Sequence, residues 1–179
     1  MKRIFLITFL MLILSALSVI AADLQMKVIY TEGVVTLIKP NGAKTTITTG
    51  AIVNPGDRIL TASRSVCDIE FAPKTYTRIG ENSDLKIDEA ELNKKTGIFG
   101  ASEKKKINLN LANGQILSKV KKLGMNESFN VKTPVATVGV RGTVFSTAAT
   151  PTSFNVSVFQ GSVIVTNLSN NATAVVPAG

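Results

Sequence analysis

Apolar residues recur at every second position along much of this chain, and a period of two leaves little choice of fold. Ile107, Leu109 and Leu111 alternate with Asn108 and Asn110, and Phe154, Val156 and Val158 alternate with Asn155 and Ser157. Successive side chains of a strand point to opposite faces, so such a run buries one face and wets the other. Turn signals separate the runs: Pro40-Asn41-Gly42, Asn54-Pro55-Gly56-Asp57, Asn113-Gly114 and Gln160-Gly161. Asn and Gly tolerate the positive φ of tight turns, and Pro55 before Gly56 is the order of a type II turn. Short strands punctuated in this way predict an all-β domain, either solenoid-like or sandwich-like. Three segments, 30–36, 111–117 and 159–165, each place an apolar residue two or three positions before a Gly and follow it with a β-rich run. They suggest one strand-turn-strand unit reused around a core.

Residues 83–95 are the one stretch that also fits a helix, with Ser83 or Asp84 as a cap and Leu85, Ala90 and Leu92 as a partial apolar stripe. Residues 84–88 alternate at the strand period, so a strand is expected through Ile87 and either state beyond it. Residues 96–102 carry Gly and run into Lys104-Lys105-Lys106, which reads as an exposed loop or hairpin tip.

The N-terminus sets the expected compartment. Lys2 and Arg3 precede an apolar run from 4 to 14 broken only by Thr8, and small residues follow up to Ala21-Ala22. That is the order of a secretory signal peptide, assigned to residues 1–22 as a signal helix, with residues 23–179 as the mature β domain. An uncleaved anchor is the alternative, because residues 4–20 just reach the length of a spanning helix. Cleavage after Ala22 takes the 20 basic residues to 18 against 12 acids and leaves no membrane span, and the protein is expected to be exported, to the periplasm or beyond.

The inventory points away from catalysis. With no His and a single Cys, neither a Ser-His-Asp or Cys-His triad nor a structural zinc site can be assembled, and no cofactor is expected. Asp84, Asp88, Glu89 and Glu91 are the candidates for the carboxylate pair a hydrolase needs, and they read as surface acids. Cys67 lies in the alternating run 65–71 on the same face as Ile69 and Phe71, which makes it a core thiol, or failing that an intermolecular one.

The stretch Phe129-Asn130-Val131-Lys132-Thr133-Pro134, followed by Val140-Arg141-Gly142-Thr143-Val144-Phe145, resembles the signature of the FecR domain family. Gly56-Asp57-Arg58-Ile59-Leu60-Thr61 is similar to that family's Gly-Asp turn, and Gly161-Ser162-Val163-Ile164-Val165 to its closing strand. The likeness runs from Met26 to Thr166, with 129–145 as motif core and 94–106 as a variable basic loop. It departs at Ala72-Pro73-Lys74-Thr75, where the family has an Asp-Gly-Ser-like turn. Only three residues precede the apolar run, so the cytoplasmic sigma-factor-binding segment of the regulators that name the family is not carried over. The resemblance implies a free-standing exported sensory module, all-β and solenoid-like.

Within the motif, Thr133, Pro134, Arg141, Gly142, Thr143 and Phe145 are expected to be architectural. Pro134 sets its own φ and holds Thr133 extended. Arg141 is either a strut onto buried acceptors or a contact for an anionic ligand. Lys94, Lys95, Lys104, Lys105 and Lys106 form a solvated face or contact a polyanion, and Lys119, Lys121 and Lys122 continue the cluster. With export and no interleaved aromatics, nucleic acid is an unsuitable partner. The expected function is therefore a non-catalytic, extracytoplasmic binding and signal-relay module whose partner is an envelope protein. The alternative is a structural or adhesive protein that binds anionic cell-wall polymer or surface polysaccharide.

Overall fold

The computed structural model describes residues 26–97 and 100–179, with side chains described outside 92–105. The expected signal segment and the side chains of Lys94, Lys95, Lys104 and Lys105 lie outside the described residues. Fifteen strands follow one another: β1 (Met26–Glu32), β2 (Val35–Ile38), β3 (Lys44–Thr46), β4 (Ile52–Val53), β5 (Arg58–Thr61), β6 (Val66–Ala72), β7 (Thr75–Ile79) and β8 (Asp84–Gly97), then β9 (Gly100–Lys119), β10 (Ser128–Lys132), β11 (Ala136–Val140), β12 (Val144–Ala149), β13 (Phe154–Gln160), β14 (Ser162–Asn167) and β15 (Thr173–Pro177). No helix occurs among the described residues.

The strands form two layers joined by β9. One layer runs in the order β4-β1-β6-β7-β9-β12-β13 and the other β3-β2-β5-β8-β9-β10-β11-β14-β15. We call them the first and second sheets. β9 pairs with β8 and β10 through residues 100–113 and with β7 and β12 through 114–119, so one long strand belongs to both. Its pairing with β10 is parallel and all other pairings among the described residues are antiparallel.

The alternation seen in the sequence becomes rungs across the sheets. Ile69, Thr77, Ser118, Phe145 and Val158 stand side by side in the first sheet, and Cys67, Ile79, Ile116, Thr147 and Val156 form the next rung. In the second sheet Ile107, Phe129, Val140, Val163 and Val176 align, as do Ile87, Leu109, Val131, Val138 and Val165. The two inner faces meet in one core. Phe129 of the second sheet sits edge-on to Phe71 and Phe145 of the first, with ring centroids 6.3 and 6.4 Å apart. Edge-to-face pairs of this kind add about 0.5–1.5 kcal/mol beyond burial.

Cys67 is a free thiol inside this core, and burial pushes its pKa up to about 12, with Asp68 adding to the shift. The Asn54-Pro55-Gly56-Asp57 turn forms as expected: Gly56 has φ +89° and the Asp57 amide donates to the Asn54 carbonyl at 3.1 Å. Buried Asp57 then accepts from Lys39 at 2.7 Å and from the Asn54 amide at 2.9 Å.

Residues 83–95 contain no helix; β8 continues as strand to Gly97. A register shift between Ile87 and Glu89 breaks the alternation there, which is why the sequence beyond Ile87 lost its period of two. The expected loop over 96–102 is also shorter in the fold, because Lys95 pairs with Ser102, Thr96 with Ala101 and Gly97 with Gly100. At Ala72-Pro73-Lys74-Thr75 the chain makes a two-residue hairpin turn, with Ala72 paired to Thr75 and Lys74 at φ +66°.

Candidate functional site

Thr133 and Pro134 shape the β10–β11 hairpin. The Thr133 amide and hydroxyl both donate to the Ala136 carbonyl, at 2.8 and 2.9 Å, and the hydroxyl accepts from the Ala136 amide at 3.0 Å. Thr133 is buried and Pro134 exposed at the bend. The Leu168 amide donates to the Val135 carbonyl at 3.0 Å, which ties the hairpin to the chain after β14.

The Arg141-Gly142-Thr143 corner joins β11 of the second sheet to β12 of the first. Three bonds fasten it: Arg141 Nε donates to the Leu123 carbonyl at 3.1 Å, the Val120 amide to the Thr143 carbonyl at 2.9 Å, and the Thr143 hydroxyl to the Ser162 carbonyl at 2.9 Å. Thr143 is buried, and Phe145 directly beyond it fills the core. Nε thus ties Arg141 to the Leu123 carbonyl, while the residue as a whole is exposed to solvent.

The three similar segments of the sequence have a shared cause. Gly33, Gly114 and Gly161 all have positive φ and each packs against a hydroxyl residue of a neighbouring turn, Ser65, Ser83 and Thr143 respectively. Ser65 Oγ accepts from the Val34 amide at 2.9 Å and Ser83 Oγ from the Gln115 amide at 3.0 Å, so a hydroxyl fastens the residue after the glycine. At the third corner the Thr143 hydroxyl donates instead. The Thr of the Arg-Gly-Thr block is thus the hydroxyl partner of a repeated corner.

The acids close together in sequence are engaged with neighbouring cations. Asp84 forms a two-pronged pair with Arg58, Asp88 lies 2.9 Å from Lys86, and Glu89 accepts from Lys106 at 2.9 Å and from Asn108 at 2.6 Å. The bond to Glu89 raises the Lys106 pKa.

Two further features emerge only in three dimensions. Lys74, Lys119, Lys121, Lys122 and Arg141 surround a groove of about 470 Å³ whose lining contains no carboxylate, and Gln160 also lines it. Lys119, Lys121 and Lys122 are neighbours in the sequence, but Lys74 and Gln160 come from distant segments. Secondly, no charged residue follows Arg141. That uncharged tail supplies one outer strand of each sheet, β13 and β15, and the absence of charge was the signal that could have marked them. The opposite outer strands are β4, of two residues, and β3, of three residues including Lys44. β13 has seven residues and β15 five, and Phe159 on β13 and Val175 on β15 are 62 and 66% exposed.

A two-layer β module whose corners are fastened by Gly-hydroxyl pairs and by an Arg-Gly-Thr block is the class that this geometry defines. The family model described as FecR protein matches residues 57–164, and the chain belongs to that family. No curated protein matches it. Among solved structures, it is similar to a crystal structure at 1.65 Å described as a candidate anti-sigma factor from Parabacteroides distasonis ATCC 8503, with 16% identity, 68% of this chain and 59% of that one covered, and a TM-score of 0.45. A second structure of the same description, at 2.50 Å, has 15% identity, covers 86% and 59% of the two chains, and has a TM-score of 0.33. The chain spans 59% of the length of each of these structures.

Proposed function

We propose that this protein is a non-catalytic module acting outside the cytoplasm, in the periplasm or beyond it, that docks an envelope protein and relays a signal. Membership of the FecR family supports the relay role. The observation that carries partner docking is the pair of uncharged outer strands, β13 and β15, each paired on one side alone among the described residues. Outer strands expose unpaired amides and carbonyls, and proteins ordinarily guard them with lysines, prolines or shortness. Here the short outer strands lie at the other end of the sheets, and β13 carries neither charge nor proline. An edge left open in this way accepts an extended strand from another chain, with main-chain bonds supplying affinity.

Capture from envelope extract with the wild type and with an Asn155→Lys, Ser157→Lys double variant tests the reading. Both positions are exposed on β13, so the variant blunts the edge without entering the core. The expected result is a protein retained at high salt by the wild type and lost by the variant. Retention of an anionic cell-wall polymer instead, abolished by salt and indifferent to the variant, would establish the alternative of an adhesive or structural role.

A further inference from the structure

We propose that the partner segment is acidic at one end, uncharged where it lies along β13 and bearing Asp or Glu where it passes Gln160 into the groove around Arg141. This rests on the docking of a strand on β13 and adds the chemistry of what docks. Gln160 is the last residue of β13 and also lines the groove, so open edge and groove are continuous.

The groove is built to hold negative charge. Lys39, Arg58, Arg78, Lys86 and Lys106 each pair with a carboxylate. Lys74, Lys119, Lys121, Lys122 and Arg141 converge on one cavity and form no ion pair among the described residues. Their positions are imposed by the backbone. Lys119 aligns with Tyr76 and Val144 at the end of the first sheet, and the corner contact between Gly142 and Lys122 brings the exit of β9 beside Arg141. Lys74 occupies a turn position with φ +66°, where glycine or asparagine is the usual residue, so its presence is not explained by the turn. With Nε engaged by Leu123, the remaining donors of Arg141 stay free for a carboxylate fork.

An acidic peptide fits these features better than a nucleic acid or a polysaccharide. No aromatic ring lines the groove, which removes a stacking platform for bases. The adjoining surface is a strand edge seven residues long, about 23 Å at 3.3 Å per residue, and that favours an extended polypeptide. An uncharged edge specifies register weakly, and a charged end would settle it by electrostatic complementarity.

Selection of a random displayed peptide library against the purified protein tests the proposal. Enriched peptides are expected to alternate β-branched and polar residues and to end in Asp or Glu. Their synthetic versions should bind about tenfold or more weakly to a Lys74→Glu, Lys119→Glu, Lys122→Glu variant, and should also lose affinity for the Asn155→Lys, Ser157→Lys variant. Peptides without acids, or binding unchanged by the triple variant, would overturn the acidic end while leaving strand docking intact if the β13 variant still abolishes binding. Acidic peptides of no strand pattern that ignore the β13 variant and are displaced by dextran sulfate would overturn both, and make the groove a site for polyanions.

Discussion

Gly142 faces the backbone of Lys122 so closely that a β-carbon on it would lie 2.8 Å from the Lys122 Cα, and its φ is +79°. The glycine of the Arg-Gly-Thr block is therefore required twice over, for its conformation and for the close approach of the corner to the exit of β9. Gly142→Ala is expected to destabilise the fold by about 2–4 kcal/mol, combining left-handed strain with overpacking. Gly42→Ala, at φ +84° with nothing within 4 Å of the added carbon, should cost only the conformational part, about 1 kcal/mol. Urea unfolding of the two variants measures the difference, and equal losses would contradict the steric account.

Thr147 carries the one buried side-chain oxygen without a hydrogen-bond partner among the described residues. It stands in a rung with Ile79, Ile116 and Val156. Thr147→Val should raise stability by about 1 kcal/mol by removing a desolvated hydroxyl at nearly constant shape. Thr77→Val should do the reverse, losing about 1–3 kcal/mol, because Thr77 and Ser118 share a buried bond of 2.9 Å and Ser118 would be left alone. Opposite signs for the same chemical change are the measurable outcome.

The Phe129 ring bridges the two sheets between Phe71 and Phe145. Phe129→Ala should cost about 3–5 kcal/mol through lost transfer energy and a residual cavity. A thermal unfolding midpoint within a few degrees of the wild type would show that the sheets do not depend on this contact.

Cys67 is protonated in the fold up to about pH 12, against an ordinary value of 9.0. Above pH 9 the unfolded chain releases the thiol proton while the folded chain keeps it, so ionisation favours unfolding. The stability conferred by the neutral buried thiol is complete below pH 9 and declines as pH rises towards 12. Measured as the difference between wild type and Cys67→Ala, which cancels the titrating lysines, the contribution of Cys67 should fall over that window. At pH 8 iodoacetamide should modify Cys67 only as fast as the protein unfolds, and rapid labelling of the native protein would contradict the burial.

The amino-acid order alone determined the strands, the Gly56 turn, the burial of Cys67 and the motif around Arg141, because those properties depend on alternation and on φ preferences within a few residues. Where a register shift interrupts the alternation, beyond Ile87, the sequence fits helix and strand alike, since periodicity extends over a window and one extra residue inverts the faces. Tertiary structure decided the rest. That β9 serves both sheets, that Lys74 and Gln160 meet Arg141, and that β13 and β15 are left on the outside all follow from pairings between segments far apart in the chain. Those pairings are selected by the fit of two inner faces around Phe129, a property of the assembled core that no local stretch of sequence contains.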